Sequence, residues 1–197
     1  MPRTPRNDFE GSLHHIMNRG AARQPIFFQE TDRTLFLDCI ALAWLASQMD
    51  VHSYCLMDNH FHLLVRSRNA NLSPFLKQLS GRYTRLVNKR IGRDGPLFRG
   101  RANSILIQDD AQLLQPLRYI HLNPVAAGLC KSPEDWLWSG ARCYSGLETP
   151  PPWRGVNLIL EMFMNSAPGG SYQTFLHEGV DLETKKLYGH LRWDDGV

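Results

Sequence analysis

Two short apolar runs, Val51–Met57 and His60–Ser67, are separated only by Asp58-Asn59. Both connecting residues favour tight turns, so the runs read as an antiparallel β-hairpin. Helical patterns flank the hairpin on both sides, which restricts the chain to folds that pack helices onto a sheet. Upstream, Thr31 or Asp32 can cap a helix running to about Ser47, with Leu35, Phe36, Ile40, Ala43 and Trp44 at helical spacing. Downstream, Ser73-Pro74 reads as an N-cap with proline at the first helical position of a long basic helix ending near Ile91.

The outer elements complete the pattern. Leu13–Arg19 (LHHIMNR) reads as a strand ended by Gly20, and Ala102–Gln108 as another. A last helix is expected from about Asp110 to Leu122, stopped by Asn123-Pro124. The order β, α, β, β, α, β, α is that of a ferredoxin-like α+β sandwich, an antiparallel sheet with helices on one face. The expected division is a main domain over 1–130 and, over 131–197, a Pro/Trp-rich segment with two or three short helices. Pro116 matters for the last helix. In its interior it would cost about 3 kcal/mol or a kink, whereas at the start it is harmless.

Composition narrows the function. The chain has 197 residues, 43% hydrophobic and 21% charged, which is ordinary for a globular protein. No apolar run approaches the length of a membrane span, and MPRTPRNDFEGS has no leader-like apolar core. The four cysteines are far apart with no C-x-x-C pair, so a cytoplasmic location with reduced thiols and no membrane partner is expected. The net charge of +3 conceals a strong asymmetry: between Arg66 and Arg101 ten basic residues face Asp94 alone, whereas from Lys131 onward acids outnumber bases by nine to six. A basic middle rich in arginine points to a polyanion bound through its phosphates, although a solvated helix face gives the same composition.

Two groups of residues carry potential chemistry. His60 and His62 are two apart on a strand, so both imidazoles face the same side and can converge on one cation while Phe61 enters the core. Alone, the pair is as compatible with a structural role. Leu64 stands where a third alternating histidine would be, and imidazole pairs ordinarily favour zinc-like ions over magnesium. Tyr119 and Asn123 are four apart, on one helix face. Tyrosine can act as a covalent nucleophile and Asn123 can offer an amide oxygen to a metal, yet a helical tyrosine is more often a packing residue. His121 points elsewhere and reads as structural.

The segments HHIMNRGAARQPIF, YCLMDNHFHLLV, YTRLVNKRIGRDGPLFRGR and YIHLNPVAAGL, in this order, resemble the REP-associated tyrosine transposases, a branch of the single-tyrosine HUH transposases. The resemblance covers roughly residues 1–145. It implies cleavage and joining of single-stranded DNA at hairpins through a 5′-phosphotyrosine, with no nucleotide cofactor. It selects Tyr119 as nucleophile over Tyr83, and His60, His62 and Asn123 as ligands of Mg²⁺ or Mn²⁺. Arg3, Arg6, Arg19, Arg23, Arg82, Arg85, Lys89, Arg90, Arg99 and Arg101 become the expected DNA contacts. A bacterial, nucleoid-associated monomer or homodimer is expected. Ala126 stands where such proteins usually carry arginine, and Pro96 where they commonly carry histidine. Two other readings keep part of this pattern: a catalytically idle nucleic-acid-binding protein, and a metal-dependent phosphodiesterase that uses activated water and does not need Tyr119.

Overall fold

In the computed structural model, which describes residues 5–166, 171–177 and 179, four antiparallel strands form one sheet. They are β1 (Leu13–Arg19), β2 (Asp50–Leu56), β3 (His60–Arg66) and β4 (Asn103–Ile107), in spatial order β2-β3-β1-β4. This is the expected α+β arrangement, with each strand within a residue of its sequence-based bounds at its start and end. The β2–β3 hairpin holds its turn through an ion pair from Arg33 to Asp58.

Helices α1 (Glu30–Ser47) and α2 (Leu72–Ile91) cover one face of the sheet. Ile16, Phe61, Leu63 and Val65 from the strands meet Phe36, Ile40, Phe75 and Tyr83 from these helices, all fully buried. Both helices start earlier than their sequence signals. The cap of α1 is Gln29, and Asp32 lies in its first turn with Oδ2 accepting from the backbone N–H groups of Phe28 and Gln29. For α2 the cap position is Asn71, so Pro74 is the third helical residue rather than the first; the carboxylate of Asp8 accepts from the Leu72 N–H at 2.9 Å. An acid brought from the N-terminal segment thus does what Ser73 was expected to do.

The helices do not all share one face as expected: the other face receives α3 (Leu114–Ala126), which follows a single 3-10 turn at Asp110–Leu113 and packs on Leu13, Met17 and Leu64. Pro116 falls in the first turn of α3, where backbone N–H groups have no helical partner, so it removes no hydrogen bond. Pro124, expected to stop the helix, lies inside it. Its fixed φ suits a helix, the loss is the single bond to the Ile120 carbonyl, and the chain runs on to Ala126. Past residue 130 the chain stays on the sheet. Leu56 N–H donates to the Trp138 carbonyl and Gly140 N–H to the Tyr54 carbonyl, both at 2.9 Å, along the outer edge of β2. Helices α4 (Ala141–Tyr144), α5 (Asn157–Ser166) and α6 (Tyr172–His177) then build a second core, in which Tyr144, Ile159 and Tyr172 join Leu64, Leu117 and Ile120.

His121 is fully buried in that second core and bridges three elements. Its Nε2 meets Ser53 Oγ of β2 at 2.5 Å and its Nδ1 meets the Tyr172 hydroxyl of α6 at 2.7 Å. Burial holds its pKa well below the ordinary value, so it stays neutral, with one ring nitrogen donating and the other accepting. It is structural, as its sequence position suggested. No helix among the described residues is long and apolar enough to cross a membrane.

Candidate active site

Alternation along β3 puts His60, His62 and Leu64 on the face that α3 covers, and puts Phe61, Leu63 and Val65 in the first core. The two imidazole centroids are 5.1 Å apart, with the rings nearly perpendicular at 89°. From α3, Tyr119 comes edge-on to His62 at 5.7 Å between centroids; it is 5% exposed. The histidine pair and the tyrosine, far apart in sequence, therefore share one site. Asn123 stands one turn further along α3 and is half-buried.

A third histidine belongs to this cluster and was not singled out from sequence. His15 of β1 places Nε2 2.9 Å from His62 Nδ1, and its ring lies 5.9 Å from that of Tyr119. In register His15 faces Leu64 and Met17 faces His62, so His15 is the diagonal same-face neighbour of His62. The signal available was two alternating strands each with a histidine of matching parity; which strands pair is not written in either.

The ring nitrogens decide what the cluster can bind. His60 Nδ1 meets Asn59 Oδ1 at 2.7 Å. An amide oxygen only accepts, so this nitrogen carries the proton, and in the neutral ring Nε2 then carries the lone pair. His62 Nδ1 is occupied by His15; when it donates to His15 Nε2, the Nε2 of His62 also carries a lone pair. This is the usual support of a metal-ligating imidazole, its second nitrogen tied to a neighbour. Burial pushes His15 down to about 3, and lowers His62 well below its ordinary pKa with help from His15 and His60. Both rings are neutral at pH 7, the state a metal ligand needs. Among the described residues no cluster of three or more His, Cys, Asp or Glu side chains is arranged to hold a metal. Two neutral imidazoles fit an ion that takes its remaining ligands from oxygen donors such as an amide, water and phosphate.

The expected DNA contacts fall into two groups. Arg82, Arg85, Lys89 and Arg90 are exposed on α2, which packs on the face opposite Tyr119. Arg90 is committed to Asp32, with Nη2 at 2.5 and 2.6 Å from its carboxylate oxygens. Arg6, Arg19, Arg99 and Arg101 instead line one cavity of about 460 Å³. Arg19 is buried and lies opposite His60 in the β1–β3 register, so this cavity adjoins the histidine pair. Arg23 is exposed in the turn after β1, and Arg3 lies outside the described residues. Tyr83 belongs to neither group. It is fully buried against Phe27, Phe36 and Phe98, with its hydroxyl donating to the Ile26 carbonyl at 2.6 Å, and so is a packing residue.

Residues 9–102 match the family model of the IS200-like transposases. The fold is shared with a REP-associated tyrosine transposase solved bound to a REP hairpin: TM-score 0.63 and 16% identity, over 77% of this chain and 89% of that one. A putative transposase from Deinococcus radiodurans (TM-score 0.42, 12% identity, 65% of this chain and 98% of that one) is also similar. So is tRNA(His) guanylyltransferase from Saccharomyces cerevisiae (TM-score 0.43, 12% identity, 87% and 83%). No curated protein matches the chain at the sequence level. The family match spans just under half of the chain, from before β1 to the end of the loop before β4, and makes this span similar to an IS200-like transposase domain.

Proposed function

We propose that the chain cuts and rejoins single-stranded DNA beside hairpins, with Tyr119 as the covalent nucleophile. The observation that carries this reading is the packing of Tyr119 against His62 and His15, next to His60, at the edge of an arginine-lined cavity. Tyr119 Oη attacks the phosphorus and the bond to the 3′ oxygen breaks. The phenol loses its proton and the departing 3′ oxygen takes one up, leaving a 5′-phosphotyrosine and a free 3′-hydroxyl. The link conserves the energy of the phosphodiester, so attack by another 3′-hydroxyl rejoins DNA without a nucleotide cofactor.

His60 and His62 through Nε2, and Asn123 through its amide oxygen, would hold a magnesium or manganese ion. Such an ion supplies Lewis-acid stabilisation of the charge that develops on the phosphate oxygens. The chain's own contribution is orientation. His15 and Asn59 hold the ring planes of the two imidazoles, Asn59 also placing the His60 proton on Nδ1, and α3 is locked to the sheet by Ser53, His121 and Tyr172. The arginines beside His60 offer forked donors to the flanking phosphates.

Incubation with a labelled hairpin oligonucleotide and Mn²⁺, followed by denaturing electrophoresis, tests the reading. The expected result is a labelled band heavier by one protein mass, absent when a chelator is present. Cleavage without that band would replace the tyrosine mechanism by attack of activated water.

The exposed face of α2 is proposed as a sequence-independent phosphate contact. Arg85→Ala is expected to weaken hairpin binding equally for all sequences and to reduce the salt slope by about 0.7–0.9. Arg85 is the cleaner choice over Arg90, whose loss would leave Asp32, 1% exposed, without its cation. A slope equal to the wild-type value would remove this face from the interface.

A further inference from the structure

The turn that presents His60 is tied to the body of the protein at Asp58. The Asp58 side chain is 65% exposed, yet its carboxylate pairs with Arg33 of α1, whose side chain is 9% exposed. Surface ion pairs ordinarily fix little, because both side chains are free to swing. Here one partner is held in the interior, so the pair fastens the turn to α1. The Asp58 carbonyl adds a second tie, accepting from the N–H groups of Ile26 at 3.0 Å and Phe27 at 3.3 Å. The next residue is Asn59, whose Oδ1 accepts the His60 Nδ1 proton at 2.7 Å. From the Arg33 guanidinium to the His60 ring the path is one ion pair, one peptide unit and one hydrogen bond.

Arg33 has its own support, most of it from chain beyond the family match at 9–102. Its Cζ lies 5.3 Å from the ring centroid of Phe27, 5.8 Å from that of Trp136 and 5.7 Å from that of Trp138. A guanidinium is planar and packs on aromatic rings, and such contacts act within about 6 Å. Both tryptophans are anchored to one residue of β2. Trp136 Nε1 donates to the Leu56 carbonyl at 3.2 Å, and the Leu56 N–H donates to the Trp138 carbonyl at 2.9 Å. The segment after α3 therefore closes a frame around the guanidinium, and the guanidinium holds the turn.

We propose that Arg33 and Asp58 are positioning residues that set the metal affinity of His60: they fix the turn from which Asn59 keeps the imidazole proton on Nδ1, so that Nε2 presents a lone pair. Both act through Asn59 rather than on the reacting atoms. A hydrogen bond of 2.7 Å tolerates little displacement of its acceptor. Once the turn swings, the neutral ring populates both tautomers, and the form protonated on Nε2 has no lone pair there for an ion. Partners that orient a ligating imidazole are worth about 10–100-fold in metal affinity. The inference rests on the reading of His60 as a metal ligand.

Two variants of the full chain test it: Asp58→Asn, and Arg33→Met/Asp58→Asn, which leaves no buried guanidinium without its acid. Binding of Mn²⁺ is followed by the electron paramagnetic resonance of the free ion. The His60 tautomer is read by nitrogen-15 NMR of the metal-free chain, with His60→Gln to assign the signals. In both variants Mn²⁺ is expected to bind roughly 10–100-fold more weakly, and the His60 signals to pass from the Nδ1–H form to a mixture of tautomers. Arg68→Ala breaks another ion pair of the sheet, to Asp50 at the start of β2, and changes neither readout. Wild-type Mn²⁺ affinity in both variants overturns the inference. So does weaker binding with wild-type His60 signals, which would mean a general loosening of the fold. In those cases the wild-type chain still binds Mn²⁺ through His60 and forms the covalent band, and the reading of the site stands. If the wild-type chain binds no Mn²⁺, or His60→Gln binds it equally well, the metal reading fails and the inference with it.

Discussion

Tyr119→Phe is expected to reduce hairpin cleavage by ~10⁴-fold or more and to eliminate the covalent band, while hairpin affinity stays within about twofold of wild type. The contrast follows from what the substitution removes. Tyr119 is 5% exposed, among Leu117, Ile120 and Leu64, and its ring lies edge-on to His15 and His62. Phenylalanine keeps that ring and its contacts, so α3 stays seated on the sheet. Only the oxygen is lost, and in the proposed mechanism the oxygen is the atom that attacks phosphorus. The cations proposed to bind DNA, around the arginine-lined cavity and on α2, are left unchanged by the substitution. The loss therefore falls on the chemical step alone. Quantified cleavage and anisotropy on the same preparation separate the two terms. Persistent cleavage by the variant would assign the attack to water, and a parallel loss of affinity would mean that the hydroxyl positions DNA rather than reacting with it.

The layout of the sheet was legible because each strand announces itself locally. The hairpin has its two turn residues, β1 ends at a glycine, and apolar alternation runs through β3. The pair His60/His62 was visible for the same reason, since parity along one strand fixes the face. His15 was not, because its relation to His62 depends on β1 lying against β3, a pairing between strands separated by a whole helix. The helix starts were displaced for a related reason. Ser73 and Thr31 are good local caps, but the bonds that define the helix ends come from Asp8, 64 residues from its partner Leu72, and from Asp32 folding back. The basic stretch between Arg66 and Arg101 read as one surface in sequence and is two in space. Arg82, Arg85, Lys89 and Arg90 lie exposed on α2, which packs on the face opposite Tyr119, while Arg99 and Arg101 turn back beside Arg19.

Gly20→Ala is expected to destabilise the chain by about 3 kcal/mol or more, and so to lower its melting temperature by roughly 6–12 °C. Its φ of −60° would suit alanine, so the requirement for glycine comes from space alone. An added Cβ would lie 1.9 Å from the Gln24 carbonyl oxygen and 3.2 Å from Ile26 Cγ2, and a backbone atom cannot swing aside as a side-chain tip does. The turn that would have to move has little slack. Ala22 and Arg23 already sit at φ of 51° and 61°, a strained region for non-glycine residues, held by the Ala21 N–H on the Leu97 carbonyl at 2.9 Å. The same glycine serves the site. Its N–H donates to the Asn59 carbonyl at 2.8 Å, and Asn59 in turn sets the His60 tautomer. Displacing the turn therefore disturbs, through two bonds, an imidazole proposed to hold the metal, and cleavage should fall even at temperatures where the variant is folded. Gly100→Ala, where nothing lies within 4 Å of the new methyl, supplies the comparison and should melt within about 2 °C of wild type. Equal melting of the two variants would show that the turn relaxes without cost, and that the glycine is not what holds β1, the turn and His60 together.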